Sequence, residues 1–359
     1  RIFSFEEACC GVPTEKFRSL PRGTSAGYPY TQSVRDGKKL FFGYGDTFDL
    51  NSELCPELRA RVEHILDQAK RGVRLSHVFA DFLKDELRSP AKNAAVMTRL
   101  ISSAPLDYTI AFRMMFGAFT AAMMSNNVES GMAPGVCVYT DWYRVANFLA
   151  QKGKKVFDGD FKSFDASEQP GVGDQILDFI NDWYDDGDDN RRVRKVLWEE
   201  LVHSRHIGGN GEDQSYIYQW NKSLPSGHPF TTCFNSIYSL TVLVAAYIHI
   251  TGDLSGFWQN VHALTYGDDN VVNPSDKVVS VYNQVTVARA IKELFNMVYT
   301  PGRKDGVWTE YATIFDVTFL KRGFVLENNQ WLCPLELNSA LFASYWCKDR
   351  RRKKEIMFQ

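Results

Sequence analysis

Several features that would assign this chain to a class at once are absent or scarce. The formal net charge over 359 residues is only −2, so any anion-binding surface must come from local clusters. The seven cysteines form no CxxC or CxxH pair, which argues against a zinc site and favours free thiols in a reducing compartment. The sequence shows no internal repeat and no low-complexity tract.

Signals that direct a chain to or through a membrane are also missing. The longest apolar candidate, 237–250, is short for a membrane span and contains Tyr and His, so we expect no transmembrane segment. The sequence has no signal peptide and no initiating Met, and we therefore expect a piece of a longer chain. It does have 44% hydrophobic residues, enough for more core than one compact unit usually needs.

The stretch Ala263–Val272 is the first candidate for chemistry. An apolar run is followed by Gly267, Asp268 and Asp269 and then by a second apolar pair, which predicts a β-hairpin. Two adjacent carboxylates at its tip would repel each other, and a divalent cation such as Mg²⁺ or Mn²⁺ would relieve the repulsion. A solvated turn is the alternative, because Gly-Asp-Asp is also ordinary turn composition.

A second acidic pair follows a predicted strand that begins at Val156. The strand brings Asp160 to its end, and Asp165 lies five residues on, past a turn. At that spacing Asp165 can share a cleft with Asp160 without competing for the same metal position. Asp158 lies on the same strand face as Asp160, and we interpret it as a spare charge.

Two further stretches have compositions suited to phosphate. Gly23–Tyr30 contains small residues and hydroxyls that allow a nucleic-acid backbone to approach closely. Lys84–Arg88, Lys92 and Arg99 form a run of cations with little acid after Glu86, which could line a channel for phosphates. An ordinary loop and a solvated charged face are the respective alternatives.

Leu224–Asn235 is a Gly/Pro loop that runs into a predicted helix. Ser226, Thr231 and Asn235 at that helix start form a plausible ribose reader. His228 has no evident orienting partner, and we discount it as a general base.

The remaining predictions concern ordinary structure. The acidic stretch 185–190 lacks EF-hand spacing, which favours a solvated loop over a calcium site. We also predict helices over 58–72, 111–124, about 235–249 and 281–298, a turn over 300–304 and a strand that ends at 319–322.

In chain order these stretches resemble the motifs of the RNA-dependent RNA polymerases of positive-strand RNA viruses, most closely the picornavirus-like group (order Picornavirales). The matching motifs are ThrSerAlaGlyTyrProTyr, LysAspGluLeuArgSer with Lys92 and Arg99, Asp160 with Asp165, ProSerGly through Thr231 and Asn235, TyrGlyAspAsp, ThrProGlyArgLys and PheLeuLysArg. The resemblance implies an α+β right-hand fold, with fingers, an RRM-like antiparallel palm sheet backed by helices, and a thumb that is largely absent here. The implied boundaries are fingers 1–115, palm 116–167, fingers insertion 168–200, palm 201–330 and the start of a truncated thumb 331–359. The N-terminal segment that usually bridges fingertips to thumb is also expected to be missing, and both absences bear on activity.

The resemblance implies template-directed transfer of ribonucleoside monophosphate from an NTP to the 3′-hydroxyl of an RNA primer, by two-metal catalysis, which replicates and transcribes a positive-strand genome. Its implied catalytic residues are Asp160, Asp268, Asp269 and Lys304, the three aspartates being ligands of two Mg²⁺ ions that Mn²⁺ can replace. The implied NTP-binding residues are Arg88, Lys92, Arg99, Asp165, Ser226, Thr231 and Asn235. The implied RNA-binding residues are Thr24, Ser25, Gly27, Lys84, Gly227, Lys321 and Arg322.

The resemblance also implies partners and a location. RNA template and primer, NTPs, a genome-linked protein primer and other viral replication proteins are the expected partners, in host cytoplasm at membrane-associated replication complexes. A reverse transcriptase is the first rival, and Gly267, Asp165 and Asn235 argue against it because they favour ribonucleotides. A catalytically inactive RNA-binding scaffold is the second rival, and the intact acids argue against that.

Overall fold

The computed structural model describes residues 1–33, 37–209, 215–303 and 307–343. Its helices are α1 Phe5–Cys10, α2 Tyr30–Ser33, α3 Lys39–Phe42, α4 Cys55–Lys70, α5 Pro90–Ala94, α6 Leu106–Ser125, α7 Trp142–Leu149, α8 Phe164–Ser167, α9 Pro170–Tyr184, α10 Asp188–Val202, α11 Thr231–Thr251, α12 Phe257–Asn260, α13 Gln284–Phe295 and α14 Leu337–Ala343, with 3₁₀ turns at Pro13–Glu15 and Ile314–Asp316. Its strands are β1 Val78–Leu83, β2 Leu100–Ser103, β3 Phe157–Phe161, β4 Arg205–Gly209, β5 Ser215–Gln219, β6 Val261–Tyr266, β7 Asp269–Pro274, β8 Tyr299–Pro301, β9 Val325–Glu327 and β10 Gln330–Leu332.

The predicted helices are present, with shifted ends. Residues 111–124 lie inside α6, and 58–72 largely coincide with α4. The helix predicted over 281–298 is the shorter α13, because Asn283 caps it and its side chain accepts from the backbone N–H groups of Val285 and Thr286.

The chain folds into two compact units. The first contains 1–82, 100–130 and 163–238, and the second contains 83–99, 131–162 and 239–359.

The first unit combines a helical core with a small sheet. Helix α6 is apolar and buried on nearly every side, as expected of a central helix, and α1, α4 and α10 pack against it. Phe112 and Phe116 stack on it with ring centroids 4.0 Å apart. The sheet has the order β2-β1-β4-β5, with β1 parallel to β4 from Val78 opposite Arg205.

Helix α11 is longer than the apolar run that the sequence indicated. Among the described residues it is the helix that is long and apolar enough to cross a membrane, and 67% of its most apolar stretch is buried inside the protein. That burial is typical of a core helix, whose apolar residues contact other protein atoms.

The second unit is built on an antiparallel sheet with the order β6-β7-β3-β8. In the chain, helices α8 to α12 and the strands β4 and β5 of the first unit's sheet lie between β3 and β6. Helix α13 lies between β7 and β8 and packs against β3 and β8. Without the first unit's residues, the second unit has helices between β3 and β6, then the adjacent strands β6 and β7, then α13 and β8. This β-α-β-β-α-β order, with the first and third strands central, is that of an RRM-like sheet. The structure thus confirms the predicted α+β class and the predicted RRM-like sheet.

Candidate active site

The predicted hairpin is present and carries its acids at the tip. Strands β6 and β7 pair from Val261 opposite Pro274 to Tyr266 opposite Asp269, so Gly267 and Asp268 form the turn. Gly267 has φ +64°, a left-handed conformation that glycine adopts without strain. Asp268 is exposed at the turn.

The sheet register brings Asp160 to the same hairpin. Strand β3 pairs with β7 as far as Gly159 opposite Asn270, and one further step along that register sets Asp160 opposite Asp269. Gly159 is required here, because an added Cβ would lie 1.9 Å from Cζ of Tyr299. The Tyr299 side chain packs directly against Gly159, and its hydroxyl donates to Oδ1 of Asn270 at 2.7 Å.

Negative charge accumulates at this end of the sheet. Burial, together with the charges of Asp268, Asp158 and Asp160, raises the pKa of Asp269 to about 7, although the backbone N–H of Leu320 opposes the shift by donating to its carboxylate at 2.7 Å. A carboxylate whose neighbours are carboxylates favours the bound proton unless a cation balances the charge.

The carboxylates at this end of the sheet suit a divalent cation whose remaining ligands come from substrate and water. Within the described residues, no set of three His, Cys, Asp or Glu side chains is arranged to ligate one ion by itself. Magnesium in nucleotide enzymes usually takes one or two carboxylates, with phosphate and water completing the shell. Asp160 and Asp268 match that requirement, whereas one oxygen of Asp269 already accepts from Leu320.

The segment that contacts Asp269 is a tight turn. Phe319 and Arg322 exchange backbone hydrogen bonds of 2.9 Å, and Leu320 and Lys321 between them have φ +52° and +58°. The prediction that these residues end a strand was wrong, because positive φ at two consecutive non-glycine residues makes a hairpin turn. Lys321 is exposed, and Arg322 donates to the Cys333 carbonyl at 3.0 Å.

Asp158 has a structural task that the sequence did not reveal. It is buried, and its carboxylate accepts from the backbone N–H of Thr318 at 3.1 Å. A Cβ added to Gly302 would lie 2.5 Å from that carboxylate, so the segment after β8 packs directly on it. Asp158 is therefore an anchor for two loop segments and not a spare charge.

Asp165 and Asn235 meet in the first unit. The Asn235 side-chain amide donates to Oδ1 of Asp165 at 2.7 Å, and Asn235 is buried. Thr231 donates its hydroxyl to the Pro225 carbonyl at 3.1 Å, and Ser226 is exposed. The structure thus brings Asp165 and Asn235 of the predicted ribose reader into direct contact.

The loop that carries Ser226 rests on strand β2. The Ser226 carbonyl accepts from the Ser102 backbone N–H at 2.7 Å. Gly227 has φ +117°, and a Cβ there would lie 2.9 Å from the Ser102 carbonyl oxygen. Glycine is thus needed for the close approach of this loop to β2.

The basic segment is organised around one acid. Lys84, Arg88 and Arg99 all form ion pairs with Glu86, a role of Glu86 that was not predicted from the sequence. The spacing of Glu86, two residues from Lys84 and two from Arg88, was the sequence signal that could have indicated these ion pairs. Lys92 is exposed on α5.

The loop at 23–30 is held by a buried lysine. Lys38 donates to the Thr24 hydroxyl at 2.5 Å and to the Ser25 carbonyl at 2.6 Å, and its burial lowers its pKa to about 8. Gly27 has φ +73° and approaches the Ala104 carbonyl so closely that a Cβ would clash.

Other sequence predictions have mixed outcomes. His228 is buried against Phe112, and burial lowers its pKa to about 3, consistent with a neutral core histidine. The acidic stretch 185–190 is only partly solvated, since Asp186 pairs with the fully buried Arg194. Lys304 lies outside the described residues.

Comparison with known proteins identifies the family. Residues 12–358 match the family model described as viral RNA-dependent RNA polymerase. The chain belongs to this family. The match confirms the resemblance that the motifs indicated.

Viral replicases are its curated relatives. The chain is 33% identical to the replicase polyprotein of Cricket paralysis virus (99% of this chain, 21% of the relative), 32% identical to that of Acute bee paralysis virus (97% and 19%) and 32% identical to that of Drosophila C virus (99% and 21%). The chain thus spans about a fifth of the length of these relatives.

A solved structure described as Sicinivirus 3Dpol RNA dependent RNA polymerase has a TM-score of 0.80 and 26% identity, over 96% of this chain and 69% of that one. This similarity confirms the predicted right-hand polymerase fold.

Proposed function

We propose that this chain catalyses template-directed transfer of ribonucleoside monophosphate to the 3′-hydroxyl of an RNA primer, with two Mg²⁺ ions that Mn²⁺ can replace. The observation that carries the proposal is the concentration of carboxylates at the end of the second unit's sheet, where the pKa of Asp269 is raised to about 7 by burial and by neighbouring acids. Such a charge excess supports cation binding at this place.

Asp160 and Asp268 are the proposed principal metal ligands, and Asp269 is the supporting carboxylate. When bound, two metal ions would activate the hydroxyl and stabilise the charge of the departing pyrophosphate. The protein's own work is positioning: the β3–β7 register aligns Asp160 with the hairpin tip, and the Leu320 N–H orients Asp269.

Arg99 is the proposed main contact for the triphosphate. Its side chain is 57% exposed, and it interacts electrostatically with Asp268, a proposed metal ligand. Lys92 is a second proposed contact. Arg88 contributes as a brace, because its guanidinium already donates to the Met97 carbonyl at 2.7 Å.

RNA contacts are proposed for the remaining predicted residues. These are Thr24, Ser25, Gly27, Lys84, Gly227, Lys321 and Arg322. Lys304 is the proposed general acid for pyrophosphate. We retain fingers 1–115, palm 116–167, fingers insertion 168–200, palm 201–330 and a partial thumb 331–359 as the proposed domains.

Sugar selection is proposed to depend on Asp165, Asn235, Ser226 and Thr231. The 2′-hydroxyl distinguishes RNA from DNA precursors, and the Asn235–Asp165 hydrogen bond holds two polar groups suited to it. Asn235→Ala should therefore lower the preference for UTP over dTTP by about tenfold, the cost of one lost hydrogen bond. The ratio of kcat/KM values measures this.

A matched variant controls for general damage. Asn126→Ala removes an exposed asparagine just after α6 and should leave the preference unchanged. An unchanged preference in Asn235→Ala would remove the sugar-reading assignment.

The longer viral protein supplies the proposed context. The relatives are viral replicase polyproteins, which supports a role in infected host cells. We propose host cytoplasm, at membrane-associated replication complexes, with a genome-linked protein primer and other viral replication proteins as partners.

Incorporation of labelled UTP against labelled dTTP on a primed RNA template, with Mg²⁺ or Mn²⁺, tests the proposed function. Ribonucleotide extension that is lost in Asp268→Asn is the expected result. Equal use of dTTP would favour a reverse transcriptase. Template-independent or absent extension, repeated on a longer chain that includes flanking polyprotein, would contradict the proposal.

A further inference from the structure

One carboxylate gathers the cations of the basic segment. Oε1 of Glu86 accepts from Nε of Arg99 at 2.7 Å and lies 3.2 Å from Nη1 of Arg88. Its Oε2 accepts from Nη2 of Arg99 and lies 3.4 Å from Nζ of Lys84. Glu86 thus holds the Arg99 guanidinium by two parallel hydrogen bonds, the strongest geometry for such a pair.

The same contacts close the segment on itself. The Lys84 backbone N–H donates to the Arg99 carbonyl at 2.8 Å, and Arg88 donates to the Met97 carbonyl. Both ends of the stretch between Lys84 and Arg99 are therefore fixed to Glu86 or to each other. The Glu86 side chain is only 16% exposed, whereas that of Arg99 is 57% exposed.

This arrangement leaves Arg99 cationic and outward-facing. Glu86 neutralises one of the three positive charges around it, so the group keeps a positive balance that suits a triphosphate. It also reduces repulsion among cations that would otherwise separate. With one edge of its guanidinium held by Glu86, Arg99 presents its other donors to the solvent.

We propose that Glu86 is a positioning residue that aims Arg99 at the triphosphate of the incoming nucleotide. The proposal rests on the proposed polymerase function for the identity of the substrate. Glu86 acts through Arg99 and does not contact the reacting atoms. A structural role alone would alter stability, whereas this role alters triphosphate affinity.

Binding of inorganic tripolyphosphate, measured by isothermal titration calorimetry in EDTA, tests the proposal on the cations alone. Glu86→Gln should weaken binding about tenfold, because the neutral amide no longer holds the guanidinium. Glu86→Asp retains the charge and should fall between the two. Glu57→Gln removes an exposed Glu–Arg pair from α4 and should bind like the wild-type protein.

Steady-state primer extension gives the second readout. Glu86→Gln should raise KM for NTP by a similar factor while kcat stays within about twofold. Equal or tighter tripolyphosphate binding in Glu86→Gln, or no binding by the wild-type protein, would overturn the proposal. If the wild-type protein binds tripolyphosphate with the expected Glu86 dependence but extends no primer, the polymerase assignment fails and the positioning role stands.

Discussion

Two clusters of polar side chains, one in each unit, lead to opposite conclusions. In the first unit, the Ser204 hydroxyl lies 2.7 Å from Nε2 of His206, and Nδ1 of His206 lies 3.0 Å from Asp81. These distances are those of a Ser-His-Asp triad. In the second unit, Asp160, Asp268 and Asp269 lie at one end of a sheet.

The two clusters differ in solvent exposure and in charge balance. Ser204 and His206 are fully buried, and the Asp81 carboxylate also accepts from Ser102 at 2.5 Å and from Tyr218. Its hydrogen-bonding capacity is used within the fold, and its side chain is only 2% exposed. Asp268 is exposed, and burial together with the charge of Asp268 raises the pKa of Asp269.

The comparison shows that hydrogen-bond distance alone does not identify a catalytic site. A buried polar network with satisfied partners fixes the position of its strands. A partly exposed cluster with excess charge of one sign can instead bind a ligand of opposite sign. Breaking each cluster should therefore have different consequences.

The largest effect is expected at the hairpin tip. Asp268→Asn removes the charge of a proposed metal ligand and should lower the incorporation rate by about 1,000-fold or more, with little change in stability. Single-turnover primer extension measures the rate. Asp276→Asn, an exposed aspartate near the other end of β7, should be unaffected. Residual turnover near wild type would remove the metal-ligand assignment.

Substitutions in the buried cluster around Asp81 should change the stability of the protein. Asp81→Ala leaves Ser102, His206 and Tyr218 without their shared acceptor, and we expect the free energy of unfolding to fall by about 2–4 kcal/mol. Urea unfolding measures this.

Ser204→Ala sharpens the contrast. It should change stability by less than Asp81→Ala and leave nucleotide incorporation unchanged. Loss of incorporation in Ser204→Ala would assign the cluster a chemical role and contradict our interpretation of it.

Local features of both units could be predicted from sequence. The hairpin at 263–272 follows from two short apolar runs on either side of a Gly-Asp turn, which are short-range signals. The β3 acid and the long helices are equally local. Contacts that join distant segments were not predictable in this way, since Asp81 meets His206 and Asp158 meets Thr318 only after folding.

Two site details were missed for a different reason. The turn at Leu320 and Lys321 has no glycine to signal positive φ, so local propensity favoured a strand. Glu86 was seen as one acid in a basic run, because sequence spacing does not show that Lys84, Arg88 and Arg99 converge on it.

The smallest expected effect is the pH dependence of the free energy of unfolding that Asp269 causes. Asp269 has a pKa raised from 3.8 to about 7 in the folded protein. Between those values the native state keeps a proton that the unfolded state has lost, so this group lowers the free energy of unfolding as pH rises. Asp269→Asn cannot ionise. In EDTA it should match the wild-type protein near pH 4 and become more stable by on the order of 1–3 kcal/mol at pH 8.

Added Mg²⁺ provides the link to function. At pH 8 it should stabilise the wild-type protein and narrow the difference from Asp269→Asn, since a cation at this site balances the charge that the proton balanced at low pH. Thermal unfolding across pH 4–8, with and without Mg²⁺, measures both effects, and Asp276→Asn should follow the wild-type curve throughout. Parallel curves for wild type and Asp269→Asn would mean that neither burial nor the neighbouring carboxylates raise the pKa of Asp269. The charge excess that distinguishes this cluster from the buried Asp81 network would then be absent.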